Sequence, residues 1–180
     1  MLLPALVREQ ELKVRFLERI QQPDTHFYYF QTYCDYELSL DRNDWKRIQF
    51  VSVSRKNELL AYFEARLNRE SLVVEDVLLL SLGPRGLNFE AAGDVFRFLA
   101  YLFEDRGFRK IFFRFIKNNP AARQYDRFLR QIAHCGTVQG VLTDYTTLTD
   151  GKTYDLVIME IRKQPYLEWF GGRYAVHPSA

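Results

Sequence analysis

Two adjacent carboxylates, Glu75 and Asp76, stand in an otherwise apolar run, Val73-Val74-Glu75-Asp76-Val77-Leu78-Leu79-Leu80. A carboxylate held among Val74, Val77 and Leu78 loses hydration, which raises its pKa toward the range a general base needs near neutral pH. Successive side chains of a strand point to opposite faces, so the pair is expected to divide, with one acid facing a cleft. The competing reading gives one acid to solvent and the other to an interstrand hydrogen bond. Other reactive side chains form no comparable group. His26, His134 and His177 are dispersed, and no Ser, His and acid arrangement carries a nucleophile signature such as GxSxG. Cys34 and Cys135 lie far apart without CxxC spacing or nearby His. Neither a metal site nor a disulfide framework is therefore expected, and each reads as a buried thiol.

Basic residues give two further patterns. Arg109, Lys110, Arg114 and Lys117 alternate with Phe112, Phe113 and Phe115, which is compatible with stacking on nucleic acid but is explained as well by a buried strand. Arg123, Arg127 and Arg130 recur at helical spacing and read first as a solvated basic face.

The elements that position these residues follow from periodicity. Leu6 to Ile20 has amphipathic helical spacing and is stopped by Gln22-Pro23-Asp24. The ring-rich stretch from His26 to Leu40 has no clean period. Ile48 to Ser54 and Leu59 to Leu67 form a predicted hairpin, and a turn at Asn68-Arg69-Glu70 leads into Ser71 to Leu82, an apolar central strand. The loop Gly83-Pro84-Arg85-Gly86-Leu87-Asn88 opens a helix from Phe89 to Arg106, with Asn88 as N-cap and Gly107 closing it. Phe108 to Ile116 reads as a strand and Asn118-Asn119-Pro120 as the start of another helix reaching Ala133. Thr137 to Leu148 and Tyr154 to Ile161 flank the turn Thr149-Asp150-Gly151-Lys152. The expected fold is α/β (α+β), a mixed, mostly antiparallel sheet with one central parallel pair, its crossover right-handed.

Length and composition bound the function. The 180 residues suit one domain, and the break at Gln164-Pro165 divides it into residues 1–164 and a C-terminal tail, 165–180. Tyr166 to Gly172 is expected to fold back over the domain, the alternative being contact with a second copy in a homodimer. With 25 Lys plus Arg against 23 Asp plus Glu, the chain has no global field to recruit nucleic acid or an anionic membrane. No apolar run is long enough to span a bilayer, and charges follow Leu6 too soon for a secretory signal, so the cytoplasm is the expected location. The 15 Phe and 11 Tyr are expected to be the main packing material.

The order of elements from Ile48 to Arg162 resembles the GNAT superfamily of N-acetyltransferases. The sharpest local likeness is Asn118-Asn119-Pro120-Ala121-Ala122-Arg123-Gln124-Tyr125, which is similar to the family's segment after its fifth strand: Asn, Ala three residues on, Tyr seven on. Asp150-Gly151-Lys152-Thr153-Tyr154-Asp155 resembles its closing hairpin. The resemblance implies that acetyl-CoA binds where the central and parallel strands splay, and that a primary amine, on a small molecule or a peptide, attacks the thioester directly. It implies Asp76 or Glu75 as the base, Tyr125 as the acid for the departing thiolate, and Asn118 and Ala121 beside the pantetheine. Leu80 and Leu82 then belong to the strand that receives it. The Arg85 guanidinium and the backbone N–H groups of Gly86, Leu87, Asn88 and Phe89 would cradle the pyrophosphate, while Arg123, Arg127 and Arg130 could meet the 3′-phosphate. The phosphate loop departs from the family's pattern of Gln or Arg, two residues, Gly, one residue, Gly or Ala. One alignment leaves only Ala92 in place, and the other keeps Arg85-Gly86 but sets Asn88 and Glu90 where small residues belong. A non-catalytic interaction module on the same fold is the alternative function.

Overall fold

The computed structural model describes residues 1–22, 38–83, 88–119, 127–128, 130–132, 134–148 and 150–174. One seven-stranded sheet runs in the order β1-β2-β3-β4-β5-β7-β6. Its strands are β1 (Leu2–Pro4), β2 (Arg47–Val53), β3 (Leu59–Asn68), β4 (Val73–Ser81), β5 (Lys110–Ile116), β6 (Gly136–Thr147) and β7 (Thr153–Arg162). All neighbours are antiparallel except β4 and β5. The helices bounded within the described residues are α1 (Glu9–Ile20), α2 (Phe89–Glu104) and α3 (Lys163–Tyr174), with a 3-10 turn at Ala5–Arg8 leading into α1, and residues 127–128 and 130–131 are also helical.

Each face of the sheet has its own core. One gathers Phe63, Ala65, Val74, Val77, Phe98, Leu102, Phe103, Ile111, Phe113, Met159, Tyr166 and Trp169 under α2 and α3. The other gathers Leu12, Phe16, Val51, Tyr62, Leu80 and Leu82 under α1. Rings do much of the joining: Phe98 stacks on Phe63 at 5.6 Å and meets Phe50 at 5.9 Å, and Phe96 meets Trp169 edge-on at 5.0 Å. α2 starts where Asn88 Oδ1 accepts from Ala91 N–H at 2.8 Å, an N-cap. It stops ahead of Gly107, whose φ of +75° suits a residue without Cβ. Gly151 at φ +76° turns β6 into β7 for the same reason.

The predicted strands, parallel pair and α2 are present with boundaries shifted by at most two residues. Two features differ. Leu2–Pro4 forms an edge strand on β2, and the expected break at Gln164-Pro165 falls inside α3, whose Tyr166 is fully buried and donates from Oη to the Phe96 carbonyl at 2.9 Å. The apolar segment folds back because an indole and a phenol there complete the core under α2. No helix among the described residues is long and apolar enough to cross a membrane.

These burial differences set expected stabilities. Phe98→Ala removes a ring at the centre of the main core and should cost about 3–5 kcal/mol, while Val138→Ala on the exposed β6 should stay within about 0.5 kcal/mol. Thermal melts of the two variants check the contrast.

Candidate active site

β4 and β5 are paired only through Val73 with Lys110 and Val74 with Ile111, although β4 continues to Ser81 and β5 to Ile116. Beyond those pairs the strands part. The register against β3 shows why: Arg66 opposes Asp76 while Leu67 opposes Val74, so Glu75 is an extra residue on β4. Such a bulge bends its strand and increases the local twist, and here it sits at the point where pairing ends. Downstream, Leu82 N–H donates to the Leu60 carbonyl at 2.9 Å. The alternation of an antiparallel ladder then turns the backbone groups of residues 77, 79 and 81 away from β3, toward the opening.

The bulge also corrects the expected division of the two acids. Val74 and Val77 both enter the core under α2, so Glu75 and Asp76 are both turned away from it. The opposite-face rule fails here because it assumes an unbroken strand. The two carboxylates differ in setting instead. Glu75 is exposed and accepts from Asn68 Nδ2 at 2.7 Å. Asp76 is half-buried, and its Oδ1 accepts from Val77 N–H at 3.0 Å, which brings the carboxylate to the edge facing β5. Burial drives its pKa up to about 6, against the pull of Arg114 and Arg66.

Around Asp76 lies a polar group that sequence reasoning did not single out. Tyr62 Oη donates to Glu64 Oε2 at 2.6 Å and accepts from Gln49 Nε2 at 2.7 Å, all three being buried. Gln49 also holds the segment before β2, donating to the Ser39 carbonyl at 2.9 Å and accepting from Asp41 N–H at 3.0 Å. Burial and the Glu64 charge push the Tyr62 phenol well above its ordinary value. From the far side of the opening, Arg114 Nη2 reaches across to the Glu75 carbonyl at 3.3 Å. At the other end, Arg19 Nε and Arg15 Nη2 of α1 donate to the carbonyls of Ser81 and Leu82 at 3.1 and 3.2 Å.

The fold that carries this opening has counterparts among solved structures. Spermidine N-acetyltransferase from Vibrio cholerae, in complex with CoA and spermine, superposes with a TM-score of 0.70 over 93% of this chain and 97% of its own, at 19% identity. The chain has the GNAT fold. A point mutant of SpeG and SpeG in complex with manganese ions, both from Vibrio cholerae, match at TM-scores of 0.57 and 0.58. Their identities are 22% and 21%, covering 69% and 70% of this chain and 70% and 71% of theirs. Neither a family model nor a curated protein matches the sequence.

On the GNAT fold, the residues singled out from the sequence are distributed unevenly. The side chains of Leu80 and Leu82 are buried in the core under α1, which leaves only their strand's backbone to the cleft. Asn88 caps α2. Glu90, in the first turn of α2, accepts from Arg55 N–H at 3.3 Å on the β2–β3 turn. Asn118 is exposed with φ +68°, a left-handed conformation that Asn tolerates well, and turns the chain off β5. The buried amide there belongs to Asn119, a residue not singled out beforehand. Arg85, Gly86, Leu87, Ala121, Arg123 and Tyr125 lie outside the described residues, as does Cys34. Cys135 is a buried thiol whose pKa burial lifts to about 11, and among the described residues no cluster could hold a metal ion.

The raised pKa of Asp76 has a stability signature. Its folded value of about 6 lies above the unfolded value of 3.8, so the fold is favoured below pH 4 and loses that contribution as pH rises through 6. Asp76→Asn should therefore gain on the parent as pH rises from 4.5 to 7.5, by on the order of 2 kcal/mol, or roughly 4–8 °C in Tm. Melting curves across that range test the sign.

Proposed function

We propose that the chain is an acetyl-CoA-dependent N-acetyltransferase acting on an amine. The observation that carries this reading is the opening between β4 and β5 with Asp76 at its closed end and the α2 N-terminus at its open end. The likeness to a spermidine N-acetyltransferase crystallised with CoA and spermine supports it.

Acetyl-CoA fits the groups the fold leaves over. The Val77 carbonyl, both backbone groups of Leu79 and the Ser81 N–H suit the amides of a pantetheine arm, the Val77 N–H and the Ser81 carbonyl being taken by Asp76 and Arg19, and the α2 N-terminus suits a pyrophosphate. Residues 85–90 would hold that anion. Glu90 is drawn toward the β2–β3 turn, which lessens its repulsion of a phosphate there. The thioester supplies the acyl group. Asp76 takes a proton from the acceptor ammonium, directly or through a water molecule, at a pKa suited to work above pH 6. The freed nitrogen forms a bond to the acyl carbon as the carbon–sulfur bond breaks, and it gives its second proton to water, from which the Tyr125 phenolate is restored. Tyr125 gives its phenol proton to the departing thiolate, as the resemblance at Asn118, Ala121 and Tyr125 implies.

Isothermal titration with acetyl-CoA should give saturable binding in about the micromolar-to-millimolar range. No heat at about millimolar ligand would sink the reading. With an amine acceptor, kcat/KM should rise with pH through about 6, and Asp76→Asn should remove that limb and lower the plateau about 10²- to 10³-fold. Tyr125→Phe should slow transfer by about 10²-fold with acetyl-CoA affinity unchanged; undiminished transfer would take Tyr125 out of the acid role.

A further inference from the structure

Building on the acyltransferase reading, the charges around Asp76 narrow the acceptor. Most carboxylates on that face are already engaged. Glu64 and Glu160 have side chains only 9% exposed. Glu64 accepts from Tyr62 and Glu160 from Lys110 Nζ at 2.8 Å. Glu75 is exposed but accepts from Asn68. The cations are less committed. Arg47 is spent on Asp41 and Ser39, yet among the described residues Arg66, 45% exposed, comes no nearer a carboxylate than 3.7 Å, at Glu64. Arg114 is exposed and, among the described residues, its guanidinium makes one hydrogen bond, to the backbone carbonyl of Glu75. Each guanidinium carries five N–H donors, so among the described residues the unused hydrogen-bonding capacity beside Asp76 is cationic and lies at the end of the opening where an acceptor must meet the thioester.

An amine placed at Asp76 therefore has a guanidinium on either side, Arg66 from β3 and Arg114 from β5. The second ammonium of a polycation would be repelled there, whereas a carboxylate would be held by a charge-assisted, geometrically specific pair. We propose that the acceptor is an amine bearing its own carboxylate, an amino acid, with its nitrogen at Asp76 and its carboxylate on Arg114. Arg114 is then the residue that sets specificity, and the acceptor class departs from that of the spermine-bound neighbour.

The test compares kcat/KM for amino acids and their decarboxylated counterparts, lysine against cadaverine and tyrosine against tyramine, with spermidine as the polycation. The amino acid should be preferred by at least about tenfold. Arg114→Gln should cut its kcat/KM about 10- to 100-fold, mainly through KM, and bring the preference close to one, while Arg114→Lys should keep part of it. Preference for the decarboxylated amine or spermidine, or a preference that survives Arg114→Gln, would overturn the proposal. Acetyl-CoA titration of the same proteins separates the two levels. Binding without an amino-acid preference, or without transfer to any of these amines, overturns this proposal alone; absence of binding overturns the acyltransferase reading and this one with it.

Discussion

Two backbone pairs, Val73 with Lys110 and Val74 with Ile111, join β4 to β5 before the strands separate. A sheet that gives up its ladder in the middle must be held together from below. α2 does this, laying Phe98 on Phe63 of β3, while Phe96 meets Phe128, which in turn touches Phe113 of β5. α3 adds Tyr166 and Trp169 to the same layer. The ring-rich composition is thus matched to the opening. Broad aromatic side chains bridge strands that no longer share hydrogen bonds, and each buried ring contributes about 1.5–3 kcal/mol of apolar transfer.

The opposite face follows a different logic. Near Asp76 it is polar and buried, and a buried polar group is costly unless its bonds are made. Gln49, Tyr62 and Glu64 satisfy one another and also fasten Ser39 and Asp41 to β2. Burial raises Asp76, Arg114 and Arg66 restrain that rise, and Glu64 adds a smaller like-charge push. A carboxylate titrating near 6 is therefore the sum of surroundings drawn from β3, β4 and β5.

Much of this was legible from local pattern. The alternation in β2 and β3, the apolar run of β4, the Asn88 cap and the Asp150-Gly151 turn each encode their own geometry. What stayed hidden depends on pairing. The extra residue at Glu75 has no signature in sequence, because a bulge is defined by the partner strand, and so two acids expected on opposite faces share one. Arg114 looked like one member of an alternating basic and aromatic strand; only the parting of β4 and β5 sets it beside Asp76. Gln49, Tyr62 and Glu64 lie on two strands and become a group only through register. The helix at 163–174 was obscured by Pro165 and paired glycines, whose weak helical preference is overridden by burying Tyr166 and Trp169.

The bulge has one further meaning. The opening it creates offers main-chain groups, at residues 77, 79 and 81, rather than particular side chains. Peptide units are the same whatever the residue, so the strand can exchange Leu, Val or Ser without altering what it presents. Constraint falls on strand count, register and one inserted residue, and the identities of most positions are left free to drift. A fold built this way can hold one shape with very different letters, as the likeness at 19% identity over 93% of this chain illustrates.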